Sequence, residues 1–304
     1  LEVGQVYEPD VPDGWTVVDV KATSLNHHDV WSLRGVGLPE ERLPMILGCD
    51  AAGLDEHGNE VIVHAVLGDP EFPGGEILDP RRTLLSELHP GTLAERVAVP
   101  RRNLVPKPES LSFEEACCLP TAWLTAYRML FDRSGLAPGQ TVLVQGAGGG
   151  VASAAIELGR AAGFRVWATS REQRKLDFAL ECGAHAVFES GARLPEKVDV
   201  VLETVGKATW GHSLRSLKPG GRIVIAGATS GFDPPAELSR VFFKELEVVG
   251  STMGTLEDLR RLVSMIDVTG IRPRIDQTFA LADVAEGIRA LAAGDVLGKI
   301  VIKP

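Results

Sequence analysis

Two textures of hydrophobic patterning divide the chain. In the first third, apolar residues alternate with polar ones or run together over short stretches. Residues 15–22, 60–66 and 93–99 read as strands, punctuated by Pro and Gly. Residues 68–90 are rich in Pro, Gly and charge and lack periodicity, which predicts a long surface loop. The texture changes near Ser112, where Ser112-Phe113-Glu114-Glu115 has the spacing of a capping box ahead of an apolar run. A helix is expected over 120–133. After a turn at 135–139, strands at 141–145, 165–169, 186–188, 198–203, 222–226 and 246–250 alternate with helices at 150–162, 172–182, 208–217 and 235–244. A helix over 256–267 follows the last strand. Such alternation builds a doubly wound parallel sheet with helices on both faces, an α/β fold. The tail, 270–304, carries one more helix (282–293) and two strands, expected to return to the first domain. The pattern therefore predicts one domain from 1–112 with 268–304 and a second from 113–267. There is no internal repeat.

A length of 304 residues suits two domains, and 44% apolar residues can build a sizeable core. The 33 Gly and 19 Pro follow no period, which points to many tight turns rather than low complexity. The formal charge of −10 comes from interspersed residues without a basic stripe, which argues against a nucleic-acid partner. The four cysteines include an adjacent pair and no C-x-x-C, so a disulfide framework is not expected and a reducing, cytoplasmic location is. No apolar run approaches the ~20 residues of a membrane helix, so no membrane partner is expected. The start at Leu1 does not read as a secretory signal, and the lack of Met suggests a longer natural chain.

The chemistry concentrates in Gly146-Ala147-Gly148-Gly149-Gly150-Val151-Ala152-Ser153, between the first strand and first helix of the alternating series. Glycines let backbone N–H groups approach a pyrophosphate, and the dipole of the following helix favours its charge. Gly148, Gly149, Gly150 and Val151 are the candidate contacts. The strict G-x-G-x-x-G is not met; the closest frame keeps small residues at 147, 149 and 152. Such a loop can be a plain tight turn, but this context favours a dinucleotide site.

A ribose-binding acid for NAD belongs about 20 residues beyond such a loop. The sequence there is Ala168-Thr169-Ser170-Arg171, without a carboxylate. Arg171 can pair with a 2′-phosphate, Ser170 can donate to it, and Lys175 one helical turn on adds charge. Arg171 and Lys175 also fit a solvated helix start. The missing acid together with the arginine predicts NADP(H).

Several stretches then resemble the medium-chain dehydrogenase/reductase superfamily, especially its quinone-oxidoreductase-like and zinc-type alcohol-dehydrogenase-like members. They are Ser24-Leu25-Asn26-His27-His28-Asp29-Val30-Trp31, Gly48-Cys49-Asp50-Ala51-Ala52-Gly53, residues 119–127 with their Leu-Thr-Ala-Tyr ending, the glycine loop, Gly250-Ser251-Thr252-Met253-Gly254-Thr255 and Gly298-Lys299-Ile300-Val301-Ile302. The match runs in order through essentially the whole chain. The resemblance implies a GroES-like, mostly-β catalytic domain formed by both chain ends. It also implies a Rossmann domain between them, an active site in the cleft, and homodimers joined through the edge strand at 246–250.

The resemblance further implies that Thr125, Gly227, Ala228, Thr229, Thr252-Met253-Gly254 and Lys299 line the nicotinamide end of the cofactor. Asn26, His27 and His28 would enter from the other domain. Three positions that hold catalytic zinc in relatives carry Asn26, Cys49 and Thr121, and residues 68–90 lack the cysteines of the structural zinc lobe. Three protein donors are the rule for catalytic zinc, so no metal is expected. Asn26 is expected as an oxyanion donor. His28 is either a proton donor titrating near ~6.5 or a hydrogen-bonded structural histidine. Asp29 would orient the turn or a histidine, and Trp31 and Trp123 would wall a pocket or belong to the core. The expected activity is hydride transfer from NADPH to a small-molecule quinone, enone or other activated carbonyl. The alternatives are a non-catalytic NADPH-binding protein and an alcohol dehydrogenase or aldehyde reductase.

Overall fold

The computed structural model describes residues 1–304, which form two compact units. A terminal unit comprises Leu1–Leu124 and Gly254–Pro304, and a central unit comprises Thr125–Met253. The sequence pattern drew these lines at 112 and 268. Residues 113–124 and 254–267 belong instead with the terminal unit, because helix Leu256–Thr269 packs on the helical turn Leu119–Trp123. A close approach fixes this: a Cβ on Gly254 would meet Leu124 Cδ1 at 2.6 Å.

In the terminal unit, strand Trp15–Ser24 is the hub. It pairs antiparallel with Ala51–Leu54, with Arg96–Pro100 and with the closing strand Lys299–Lys303. The closing strand in turn pairs parallel with Ile275–Ala280. Both strands of the tail thus return to the sheet of the first domain, as the pattern requires. Val18, Val20, Val61, Val63, Val97 and Val99 face one core, where β-branched side chains suit a pleated surface. A second core forms where helix Val284–Ala293 lays Val284, Ile288 and Leu291 against Ile300 and Ile302. The predicted capping box is present, with Ser112 Oγ accepting the Glu115 N–H at 3.1 Å and Glu115 returning the bond to Ser112 N–H at 2.9 Å.

Residues 68–90 depart from the expected surface loop. They contain a short helical turn, Glu76–Leu78, and a strand, Thr83–Leu84, paired with Val66–Leu67. Ile77, Asp79, Leu85 and Ser86 are buried. Tertiary contacts order a segment whose local pattern carries no period: Glu76 takes His64 on one side and accepts the Leu256 N–H at 2.6 Å.

The central unit is a six-stranded sheet, all parallel, in the order Ala186–Glu189, Arg165–Ser170, Thr141–Val144, Val198–Glu203, Leu217–Ile225, Glu247–Gly250. This is the doubly wound order, whose direction of winding reverses beside the first strand. Apolar strand residues fill both faces, as a parallel sheet covered by helices demands. Glu247–Gly250 is an edge strand. No helix is long and apolar enough to cross a membrane.

Candidate functional site

In the central unit, the carboxyl ends of the strands carry the glycine loop, Ser170-Arg171, the turn after Glu203 and residues 226–231. Gly146 and Gly148 have φ of +75° and +115°, where a side chain is strained. A Cβ would also meet Val205 Cγ2 at 2.5 Å in one case and Lys175 Cδ at 2.7 Å in the other. Gly149 begins helix Gly150–Ala161 as its N-cap without a side-chain cap, and a Cβ there would face open space. The first N–H groups of a helix lack intrahelical acceptors. Those of Gly150 and Val151 are therefore presented at a helix end favourable to an anion.

At the next strand end, Ser170 is buried and its Oγ accepts the Glu172 N–H at 3.2 Å. The Arg171 guanidinium is exposed and makes no hydrogen bond or ion pair within the chain. Lys175 is nearby but engaged, donating to Glu172 at 2.6 Å. Gly227, Ala228 and Thr229 lie against the turn at 204–206, with Thr229 N–H donating to Thr204 O at 3.2 Å. Thr125 and Met253 are the first and last residues of this unit, and Met253 has a left-handed φ of +43°. The geometry thus gathers Gly148–Val151, Ser170, Arg171, Lys175 and 227–229 at one edge of the sheet.

Behind these loops lies a polar network that the sequence pattern does not reveal. Gln145 Oε1 accepts from Thr169 Oγ1 at 2.6 Å, and its Nε2 donates to His212 Nδ1 and Ser213 Oγ, both at 2.9 Å. Glu203, fully buried, accepts from Val205 N–H, Gly206 N–H, Thr209 Oγ1 and Ser213 Oγ at 2.6–3.0 Å. Four donors offset the cost of a buried carboxylate and fix the turn it anchors.

Lys299 takes part in a buried network inside the terminal unit. Its Nζ donates to Asn26 Oδ1 at 2.7 Å and Leu25 O at 2.8 Å and pairs with Asp50 Oδ2 at 3.4 Å; Lys299 is 3% and Asp50 0% exposed. Asp50 also accepts from Ser24 Oγ at 2.6 Å and from Asn26 Nδ2 at 2.8 Å. The other Asn26 amide hydrogen goes to Ser24 O at 3.3 Å. Both amide hydrogens are therefore used within the chain. The pairing of Lys299 with Asp50 is what sequence reasoning missed, since nothing local marks a pairing across most of the chain.

His28 does not titrate near its ordinary value. It sits between Cys49 Sγ, 3.3 Å from Nδ1, and Glu87 Oε1, 3.1 Å from Nε2. Burial opposes a charge there, but the sulfur, Glu87 and Asp29 outweigh it and push the imidazole up to about 11. Burial also pushes the Cys49 thiol up, while the bond from His28 pulls it back down. Burial raises Glu87, but bonds from His28, Leu84 N–H and Thr83 bring it below the usual carboxylate range. Asp29 accepts Asn26 N–H at 2.8 Å and Gly48 N–H at 3.1 Å, so it orients the turn. Trp123 is fully buried core.

The zinc positions of the resembling family do not fit a zinc ion here. Asn26 is saturated by Lys299, Asp50 and Ser24 O, Cys49 hydrogen-bonds to Leu85 O at 3.3 Å, and Thr121 offers a hydroxyl, a poor zinc ligand. His28, Asp29 and Cys49 do bring donor atoms within 4.8 Å of one another. Each is already satisfied by the bonds just described.

Comparison with known proteins agrees with this layout. Residues 12–109 match the alcohol dehydrogenase GroES-like domain, and residues 150–267 match the zinc-binding dehydrogenase family. An acryloyl-coenzyme A reductase of Sulfurisphaera tokodaii is 27% identical over 322 residues, covering 99% of this chain and 95% of that protein. The crystal structure of an NAD-dependent alcohol dehydrogenase superposes with a TM-score of 0.94 at 34% identity, over 100% of this chain and 95% of that one. A 2-octenoyl-CoA carboxylase reductase solved with NADP and 2-octenoyl-CoA gives 0.91 at 25% identity, over 99% of this chain and 81% of that one. The chain belongs to the medium-chain dehydrogenase/reductase superfamily and is an oxidoreductase built to use a nicotinamide cofactor.

Proposed function

We propose that the chain is an NADP(H)-dependent reductase acting on electron-poor double bonds: enones, enoyl thioesters, quinones or other activated carbonyls. The observation that carries the cofactor choice is the end of strand Arg165–Ser170. The strand end itself, Ala168–Arg171, carries no acid for a ribose 2′-hydroxyl, and Arg171 presents an unpaired guanidinium suited to a 2′-phosphate. Gly148–Val151 would hold the pyrophosphate on the uncapped helix end. Bound NADPH supplies a hydride.

The donor set argues for the substrate class. Asn26, Cys49 and Thr121 provide no Lewis acid to polarise an unactivated alcohol. The substrate must then be electrophilic already. Adding hydride to the β-carbon of an unsaturated carbonyl leaves an enolate, and a proton delivered from solvent water to the α-carbon completes the reduction, leaving hydroxide to be neutralised by buffer. The relatives named as an acryloyl-coenzyme A reductase and a 2-octenoyl-CoA carboxylase reductase favour the same class. His28, raised by Cys49 first and by Glu87 and Asp29 after it, contributes positive charge instead of a proton that comes and goes near neutrality, and Lys299 keeps Asn26 in place.

The test is NADPH oxidation against acryloyl-CoA, crotonyl-CoA, a simple enone, a quinone and an aldehyde, with NADP⁺ reduction by primary and secondary alcohols as the reverse arm. Turnover confined to the activated acceptors is expected. Efficient oxidation of simple alcohols would overturn the substrate class. Tight NADPH binding without turnover of any acceptor would favour a non-catalytic binding protein.

A further inference from the structure

The corner of the central unit that carries Arg171 contains an anion as well. Glu172 follows Arg171 and stands in extended conformation at the start of helix Gln173–Glu181. Its carboxylate makes no cap on that helix. One oxygen receives Lys175 Nζ at 2.6 Å, and the other receives Arg174 Nε at 3.3 Å. Its backbone N–H donates to Ser170 Oγ, so Glu172 is tied to the same strand end that would meet a 2′-phosphate.

Lys175 has little freedom to leave this pair. Its stem lies on the phosphate loop, so close that a Cβ on Gly148 would come within 2.7 Å of Lys175 Cδ and 2.8 Å of Lys175 Cγ. Its side chain is 13% exposed, whereas that of Glu172 is 43% exposed. The cations at this corner therefore divide into two kinds. Arg171 is open, while Lys175 and Arg174 share a carboxylate that stands among them.

We propose that Glu172 sets the cofactor preference of this site as an internal competitor for the 2′-phosphate. The proposal rests on the reading of the corner as a dinucleotide site, but not on the role given to Arg171. A phosphate monoester carries about −1.5 to −2 charges at neutral pH. To use Lys175 it must displace or share with Glu172, and it is repelled by that carboxylate throughout. A ribose 2′-hydroxyl carries no charge and leaves the Glu172–Lys175 pair intact. Glu172 thus weakens NADPH binding selectively and holds the preference for it below what three nearby cations would otherwise give.

Glu172→Gln tests this, because it keeps size and hydrogen-bonding capacity at an exposed position and removes only the charge. Dissociation constants for NADPH and NADH are measured by calorimetry on the full chain for the parent, Glu172→Gln and Arg171→Ala. The affinity ratio of NADPH over NADH is expected to rise about three- to tenfold in Glu172→Gln at low ionic strength, the size of a partly exposed charge effect. The gain is expected to shrink as salt is added. An unchanged ratio, or one that moves toward NADH, overturns the proposal. The latter result would make Glu172 a ribose ligand instead. A rise with Glu172→Gln but no effect of Arg171→Ala supports Glu172 as the competitor while removing Arg171 from the site.

Discussion

Replacing Lys299 by methionine removes the cation from a buried network and leaves Asp50 in place. The carboxylate of Asp50 is fully buried and retains only Ser24 Oγ and Asn26 Nδ2 as donors, both on Oδ2, while Oδ1 has no partner. Asn26 Oδ1 loses its donor as well. Breaking one side of a buried ion pair costs about 3–5 kcal/mol, because an uncompensated charge remains. For a unit of this size each kcal/mol lowers Tm by roughly 2–4 °C, so a drop of about 6–20 °C is expected. Thermal unfolding followed by circular dichroism reads it. The double variant Asp50→Asn/Lys299→Met removes both charges and is expected to melt well above the single variant. A Lys299→Met protein melting within about 2 °C of the parent, or a double variant no better than the single, would refute the assignment of Lys299 to this network.

Other expectations follow from the same geometry. His28 should remain an imidazolium at pH 8 by nitrogen NMR, and Glu87→Gln should lower its pKa; a neutral ring in the parent would contradict the assignment. Because the folded value, about 11, lies above the ordinary 6.5, the stability contributed by His28 is full below about pH 6.5 and lost as pH rises through about 11. Gly148→Ala places a side chain at φ +115° against Lys175 and is expected to cost about 1–2 kcal/mol and to weaken NADPH binding; unaltered stability and binding would count against the loop geometry. The edge strand Glu247–Gly250, with Val248 exposed and Phe242 and Phe243 exposed on the preceding helix, is expected to join two copies. Light scattering should give a dimer for the parent and a monomer for Val248→Lys, and a monomeric parent would rule this interface out.

What the sequence made legible was set by local physics. The alternation of apolar strands with amphipathic helices between Thr141 and Gly250 follows from the periods of the two structures, and the capping box at Ser112 is a contact across three residues. The glycine loop is readable because its φ values need glycine. Features that depend on distant partners stayed hidden. Glu87 and His28 are 59 residues apart, and Lys299 and Asp50 are 249 apart. Asn26 reads as an available amide until its partners are seen. Residues 68–90 look like loop because their order comes from contacts such as Glu76 with Leu256, not from a period of their own. The unit boundary at Leu124 also follows from packing, since the helical run continues past it.

The central claim is that this chain binds NADP(H) through an arginine standing where an NAD enzyme keeps an acid. Calorimetric titration of the parent and Arg171→Ala with NADPH and with NADH tests it directly. The parent is expected to bind NADPH more tightly than NADH. Arg171→Ala should lose about ten- to a hundredfold in NADPH affinity, the worth of one charge-assisted contact of roughly 1.5–3 kcal/mol, with NADH affinity nearly unchanged. Equal NADPH affinities in parent and variant, or a parent that prefers NADH, would contradict the account.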